Sequence, residues 1–224
     1  MSTNDKIICM KSHFFFFLCM LALPLFAQEQ SDPKATALLQ KIEKKYEAYQ
    51  SLSADFKLII EVPGEDRQEQ QGRMVQQGNS YFIDLPDRQI YCDGQSVWLY
   101  LKEEKEVQIN DAEEEDGIAS PRDFLRVYAS DEYVYALANE FVEKGRSVQQ
   151  IVFKPKDRDS DISKIRLTID KNSLEILQVR TFYKDGTRVA LVMSSLSANK
   201  TYPAEIFRWQ KNNCPDCYVE DLRL

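Results

Sequence analysis

The residues best suited to take part in a chemical reaction are two cysteines near the C-terminal end. Cys214 and Cys217 have the C-x-x-C spacing of redox pairs, and a third cysteine, Cys92, lies far upstream. Redox motifs of this kind need a helix N-terminus in a βαβ context to lower the thiol pKa, whereas this motif lies among predicted strands. The spacing therefore favours a small structural disulfide between Cys214 and Cys217 over redox catalysis. Free or alternatively paired cysteines remain an open alternative.

The chain offers few other groups for catalysis. Its single histidine, His13, lies in a segment that we expect to be removed on export. Without it, Ser-His-Asp and Cys-His catalysis, histidine metal sites and a histidine pH switch are excluded. The acidic run Asp111–Asp116 lacks the glycine and alternating ligands of a calcium loop, and such runs are usually solvated. We therefore predict a protein that is not an enzyme and has no cofactor or metal. A hydrolase with two carboxylates in one cleft is the enzymatic alternative.

The first 27 residues have the layout of a secretory signal peptide. Lys6 and Lys11 form a basic start, Phe14–Leu25 is an apolar stretch, and Ala27 supplies a small residue for cleavage. The apolar stretch is too short to cross a bilayer comfortably. We predict cleavage after about Ala27, a single domain over residues 28–224, and a location in the periplasm.

The charge of the predicted mature chain limits its partners. Residues 28–224 hold 27 basic and 35 acidic residues, a net charge of −8. Nucleic acid requires a basic face, so this balance argues against nucleic-acid binding. It also argues against electrostatic docking on an anionic membrane.

Hydrophobic periodicity predicts one long helix followed by a series of strands. Asp32 and Pro33 are a good N-cap and first helical residue, and apolar residues then recur at helical spacing for about five turns. Ser120–Asp123 indicates a second helix start. Strands are predicted at Leu52–Val62, Gln68–Gln77, Tyr81–Leu85, Gln89–Cys92, Val97–Leu101, Val107–Ile109, 132–142, Val148–Lys154, Ile165–Ile169, Leu174–Tyr183 and Arg188–Leu196. Residues 132–142 also suit a helix, because of their alanines.

Short turns between so many strands exclude a parallel sheet. We predict an α+β fold in which a strongly curled antiparallel sheet of about ten to eleven strands forms an open or half β-barrel. A helical lid is expected over its concave face. The interior is either a plain packed core or a cavity for an apolar ligand. The candidate cavity residues are Leu52, Phe56, Leu58, Ile60, Tyr81, Ile83, Trp98 and Tyr100.

Several short motifs, in order along the chain, resemble the LolA-like family of outer-membrane lipoprotein carriers, in its Bacteroidetes-type form. The matching pieces are the helix and strand ending in Ala54-Asp55-Phe56, Gly72, the D-G-x-x-[LV]-W-x-Y motif at Asp93–Tyr100, Glu106–Ile109, Pro121–Leu125 and Glu220–Arg223. The resemblance covers essentially the whole chain after the signal peptide.

The resemblance implies a periplasmic chaperone that binds the acyl chains of lipoproteins and moves them from the inner to the outer membrane. The implied partners are acylated lipoproteins, an inner-membrane ABC-type releasing complex and an outer-membrane acceptor that is LolB-like or of another kind. Such a carrier acts as a monomer. The alternatives are a periplasmic lipid- or glycolipid-binding protein and an RseB-like sensor with the same half-barrel.

The resemblance also implies a lid, and the chain departs from the family there. The candidate lid residues are Leu38, Leu39, Ile42, Tyr46, Phe124 and Leu125. Well-studied carriers have an Arg-Pro pair after the second strand, and that arginine helps to hold the lid closed. Here the corresponding place holds Gly78-Asn79, so the latch residue is not assigned.

Overall fold

The structure is a computed structural model that describes residues 30–112 and 131–223. Its secondary structure comprises one α-helix, twelve strands and two short 3-10 helices within those ranges. They are α1 (Pro33–Glu47), β1 (Ser51–Glu61), β2 (Gln68–Gln77), β3 (Ser80–Asp84), β4 (Arg88–Cys92), β5 (Ser96–Leu101), β6 (Glu106–Asp111), β7 (Tyr133–Glu143), β8 (Arg146–Pro155), β9 (Ile162–Asp170), β10 (Ile176–Tyr183), β11 (Arg188–Ala198), η1 (Ala204–Phe207), η2 (Lys211–Asn213) and β12 (Tyr218–Asp221).

Helix α1 begins where the sequence predicts. The Asp32 side chain accepts a hydrogen bond from the Lys34 N–H at 2.8 Å, and Pro33 occupies the first turn. The helix spans 15 residues, about four turns by the usual 3.6 residues per turn, instead of the predicted five. It is shorter because β1 begins at Ser51, so the chain leaves the helix at Ala48. No helix in the described ranges is long and apolar enough for a membrane span.

The twelve strands form one open sheet in the order β12-β6-β5-β4-β3-β2-β1-β11-β10-β9-β8-β7. The predicted α+β class is confirmed, and residues 132–142 are a strand, as favoured. The sheet does not close, because β7 and β12 form its two ends. One detail of the prediction was wrong: β12 pairs with β6 in parallel. The segment with η1 and η2 is long enough to return the chain to the far edge for such a pair.

Strand registers assign each side chain to one of two faces, since directly paired residues share a face and neighbours alternate. We call the face that carries α1 the helix face and the opposite one the outer face. Ala35, Leu39, Ile42 and Tyr46 of α1 are buried on the helix face. They pack against buried residues of the sheet, and we call the whole group the helix cluster. The sheet residues of this cluster are Leu52, Ile151, Phe153, Ile165, Leu167, Ile169 and Ile176. Helix α1 therefore covers the β8–β10 half of the sheet.

Candidate functional site

The helix face continues as an apolar surface beyond the part that α1 covers. We call this surface the central wall. It comprises Ala54, Phe56, Leu58, Met74, Ile83, Leu85, Leu191 and Met193. Ala54, Phe56 and Met74 are buried, whereas the other five are only partly buried. The central wall is thus a half-exposed apolar surface beside a fully packed core.

Most of the predicted cavity residues share the helix face. Phe56, Leu58 and Ile83 belong to the central wall. Leu52 lies on the same face but is packed into the helix cluster. Ile60 and Tyr81 also project from it, because Ile60 follows Leu58 by two residues and Tyr81 precedes Ile83 by two.

Two of the predicted cavity residues lie on the opposite face of the sheet from the others. Trp98 pairs with Tyr91 and Ile109, whereas the helix-face residue Ile83 pairs with Ile90, which in turn pairs with Leu99. Trp98 and Tyr100 therefore project from the outer face. Strand β5 is apolar on both faces, so its sequence pattern alone could not distinguish them.

The central wall also contains residues that were not among the predicted cavity residues. These are Ala54, Met74, Leu85, Leu191 and Met193. Met74 follows the polar residues Gln71 and Arg73, and the only signal for its burial was the alternation that it shares with Gly72. Leu191 and Met193 come close to Phe56 and Leu58 only through the pairing of β11 with β1.

Gly72 shapes the central wall. A Cβ atom at this position would lie 2.6 Å from Phe56 Cε2 and 2.9 Å from Leu85 Cδ2, both closer than side chains tolerate. The glycine therefore lets the Phe56 ring approach the backbone of β2 closely. This is the same glycine that the sequence analysis matched to the second strand of the family.

We expect Gly72→Ala to lower the free energy of unfolding by about 1–3 kcal/mol, the usual cost of overpacking. The new methyl group would displace the Phe56 ring, and urea denaturation measures the loss. The matched background is Phe56→Leu, in which a smaller side chain leaves room for the methyl group, so Gly72→Ala should cost less there. An equal cost in both backgrounds would mean that the Phe56 ring is not the obstacle.

The outer face is covered at β3–β6 by the C-terminal segment. Tyr91, Trp98, Val107 and Ile109 form a cluster with Trp209, Cys214 and Cys217 from that segment, which we call the C-terminal cluster. Its presence explains the burial of Trp98 without a ligand. The tryptophan of the D-G-x-x-V-W motif is thus a packing residue, buried between the outer face of the sheet and the C-terminal segment.

Asp93 of the same motif anchors the C-terminal segment. Its Oδ1 accepts hydrogen bonds from the Gln95 and Ser96 N–H groups at 3.0 Å, which shapes the hairpin turn. Its Oδ2 accepts from Arg208 Nε at 3.1 Å and Nη2 at 2.5 Å. Burial alone would raise the pKa of Asp93, but these donors hold it below its usual value. The motif aspartate therefore joins the β4–β5 turn to the segment after η1.

The family described as "Outer membrane lipoprotein carrier protein LolA" matches residues 47–210, well over half of the 224-residue chain. The chain belongs to the LolA family. The match runs from the end of α1 to just beyond Trp209, and so contains the whole central wall. None of the curated proteins is detectably similar to the chain.

Three solved structures resemble this LolA-family protein at low sequence identity. An uncharacterized conserved protein from Thermus thermophilus has a TM-score of 0.57 at 14% identity, with 84% of this chain and 99% of that chain covered. LprF from Mycobacterium bovis has a TM-score of 0.48 at 12% identity over 78% and 98%. A LolA superfamily protein from Nitrosomonas europaea has 0.41 at 11% over 78% and 97%. The first of these resemblances supports the fold.

The predicted lid residues of this LolA-family protein are placed only in part. Leu39, Ile42 and Tyr46 are buried in the helix cluster, and Leu38 packs against it partly buried. Phe124 and Leu125 lie outside the described residues. The apolar face of α1 is therefore already engaged with β8–β10 in this structure.

The place of the family's Arg-Pro pair is a tight turn. Gly78 has a φ of 60° between β2 and β3, in the left-handed region that favours glycine. Asn79 follows it at the surface. Cys92 has a buried thiol on the helix face, with its Sγ 3.7 Å from the Asn79 carbonyl oxygen. This turn carries no cation, as expected from a sequence that has Gly78-Asn79 where the family has an Arg-Pro pair.

The structure joins Cys214 and Cys217 in a disulfide within the C-terminal cluster. Lys105 Nζ donates to Asp216 Oδ2 at 2.8 Å across this small loop. The ion pair draws the loop toward the β5–β6 turn, next to the start of β12. The cysteines are buried here, which suits a structural disulfide better than a redox pair.

A cleft of about 550 Å³ opens beside the central wall. Phe56, Gly72 and Leu85 contribute apolar lining, and Asp55 and Asp84 contribute carboxylates. Each carboxylate has local donors: Ser195 Oγ donates to Asp55 at 2.7 Å, while Gln89 and Lys102 donate to Asp84 at 2.9 Å. Such contacts are those of structural polar pairs. Within 30–112 and 131–223, no group of three or more His, Cys, Asp or Glu side chains converges as a metal site.

Proposed function

We propose that this LolA-family protein is a periplasmic carrier that shelters lipoprotein acyl chains against its central wall. The observation that carries the proposal is an apolar surface on the same face as α1, whose half-exposed residues are Leu58, Ile83, Leu85, Leu191 and Met193. Each CH₂ group buried there would contribute about 0.8 kcal/mol. An acyl chain thus gains enough from a surface of this kind to leave water.

Release is as important to a carrier as binding. In our proposal, helix α1 and the segment with Phe124 and Leu125 act as a lid whose apolar face competes with the acyl chain. A ligand that must displace a self-packed lid binds less tightly than one that enters an open cavity, and the difference sets how readily it leaves. The half-exposed residues of the central wall are where such an exchange would occur.

The proposed route follows from the family. The signal peptide, residues 1–27, directs export, and the domain over residues 28–224 works in the periplasm without catalysing a reaction. It receives acylated lipoproteins from an inner-membrane ABC-type complex and passes them to an outer-membrane acceptor. A periplasmic lipid or glycolipid carrier and an RseB-like sensor would use the same half-barrel, and the experiment below separates them from the carrier.

The test is native mass spectrometry of the protein purified from the periplasm without detergent. We expect co-purifying acylated polypeptide, and we expect Ile83→Glu or Phe56→Glu to remove it, because a carboxylate on the central wall is incompatible with a buried acyl chain. Gln71→Glu is the matched control. It adds the same charge at an exposed position of β2 beside Gly72.

Circular dichroism must show that each variant remains folded. Half-buried Ile83 is the safer position in this respect, since Phe56 is buried. Free phospholipid or glycolipid in place of acylated polypeptide would support the lipid-carrier alternative. A bound peptide without an acyl group would support the sensor. A protein that is empty and binds neither a hydrophobic dye nor an added lipoprotein would make the central wall a plain core.

A further inference from the structure

The outer face of β8–β11 carries a cluster of cations in an otherwise acidic protein. Alternation along the strands places six of them on this face, of which Arg146 lies near Asp170 at one end. We call the other five the basic patch: Lys154, Lys164, Arg166, Arg180 and Arg188. At about 4.8 Å between neighbouring strands, the patch spans roughly 14 Å from β8 to β11. It lies on the face opposite to α1 and away from the C-terminal cluster.

Two arginines of the basic patch face each other directly. Arg180 pairs with Arg166 across β10 and β9, and like charges in this position destabilise a sheet. Their nearest neighbours in the same row are uncharged, namely Ala190 beside Arg180 and Val152 beside Arg166. The Nε atoms of both arginines are buried without a hydrogen-bond partner. Such an arrangement costs stability, which makes an external role the better explanation of it.

No acid of the described chain forms an ion pair with the patch. Glu61 lies opposite Arg188 across β1 and β11, but its carboxylate pairs with Arg67 at 3.9 Å. Glu69 of β2, which lies on the same face, pairs with Lys57 at 2.8 Å and with Arg67. The positive charge of the patch is therefore available to an anion from outside.

An aromatic ring lies among these cations. Lys164 Nζ is 4.8 Å and Arg166 Cζ is 5.2 Å from the centre of the Phe182 ring. Cation–π contact holds both side chains over the ring and presents their charges side by side on the sheet surface. Half-buried Phe182 pairs with Lys164 and Arg188, so the ring lies inside the patch and not at its rim.

We propose that the basic patch is a docking surface for the phosphate groups of an anionic phospholipid membrane. Strands β8–β11 are paired on both sides, so a peptide cannot add to them through its backbone. What they offer is a broad array of cations around one aromatic ring, which matches many headgroups in a plane better than one peptide. Arginine side chains are also suited to phosphate oxygens.

The net charge of −8 over residues 28–224 does not prevent this docking. Charges more than about 8 Å away are largely screened at physiological ionic strength, so a membrane in contact with the patch senses mainly the five cations. The docking would bring the protein to a bilayer without using the central wall. The inference does not depend on acyl-chain binding.

The test is co-sedimentation of the exported protein with phosphatidylcholine vesicles, with and without phosphatidylglycerol. We expect binding only to the anionic vesicles and a decrease as NaCl is added. Each basic residue contributes about fivefold, so Arg166→Gln with Arg180→Gln should weaken binding about 25-fold. Lys164→Gln with Arg188→Gln should weaken binding by the same factor, and these two residues do not face each other as Arg166 and Arg180 do.

The matched control is Lys41→Gln with Lys44→Gln, which removes the same charge from exposed positions of α1. It should change binding less than twofold. Equal losses in the patch and control variants, or no binding of the wild-type protein to anionic vesicles at physiological ionic strength, would overturn the proposal. So would a patch that binds inorganic phosphate or a soluble polyglutamate peptide but not the vesicles. Thermal unfolding of the Arg166/Arg180 variant checks its fold, and relief of the repulsion should leave it at least as stable.

Discussion

Replacement of Trp98 by alanine should lower the free energy of unfolding by about 3–5 kcal/mol. Trp98 is only 8% exposed and packs in the C-terminal cluster against Tyr91, Ile109 and Trp209. Removal of the indole would leave a cavity between the sheet and the segment that carries the disulfide. Urea denaturation followed by far-UV circular dichroism measures the loss.

The same variant tests the assignment of faces. Trp98 projects from the outer face, whereas its neighbour Leu99 lies on the helix face in the row of Ile83. At a temperature where both variants are folded, Trp98→Ala should bind an acylated probe like the wild-type protein, and Leu99→Glu should lose the probe. Loss of the probe in folded Trp98→Ala would mean that the indole contributes to the acyl site after all.

The second large effect is expected at Tyr46. Its side chain is 1% exposed, and its hydroxyl oxygen accepts a hydrogen bond from the Ile176 N–H at 2.9 Å, which ties α1 to the start of β10. Tyr46→Ala should lower the free energy of unfolding by about 3–5 kcal/mol, through the cavity and the lost bond. Tyr46→Phe keeps the ring and should cost about 1–3 kcal/mol, because the Ile176 N–H then loses its partner.

The Tyr46 hydroxyl also makes stability depend on pH. Burial raises the pKa of Tyr46 above its ordinary value of about 10, more than the Ile176 N–H lowers it. The fold thus favours the neutral hydroxyl. Its contribution is complete below about pH 10 and is lost as pH rises toward the folded-state pKa.

The stability advantage of the wild-type protein over Tyr46→Phe should therefore shrink above about pH 10. Comparison of the two proteins at each pH removes the effect of the other tyrosines. A constant difference from neutral to strongly alkaline pH would show that Tyr46 is not buried as neutral phenol. An unchanged stability of Tyr46→Phe at neutral pH would show that the bond to Ile176 is not made.

The local patterns of the sequence predicted most of the elements. The N-cap and the first-turn proline placed the start of α1 at Pro33, because these residues act on the backbone next to them. The alternation of Leu52, Ala54, Phe56 and Leu58 predicted β1 and its apolar face, which the registers confirm. The Asp93-Gly94 turn was equally local, since the Asp93 side chain bonds the N–H groups two and three residues ahead.

The residues of the central wall were predicted less completely, and the differences between the predicted list and the wall have a common cause. Alternation along a strand shows that residues two apart share a face. When both faces are apolar, it does not show which of the two sets points to the helix face. In β5 the two sets, Val97 with Leu99 and Trp98 with Tyr100, are equally apolar. Only the register to β4 and the C-terminal segment that covers Trp98 decide between them.

By itself, the sequence determined the fold class, the helix start, the order of β1–β11 along the chain and the family, since each of these rests on spacing along the chain. Strand β12 was not predicted. The tertiary structure decided which face each strand presents, the parallel pairing of β12, the role of Gly72 beneath Phe56 and the gathering of five cations on one face of an acidic protein. These features join residues far apart in the chain. Their contacts depend on strand register and sheet order, which no local pattern specifies.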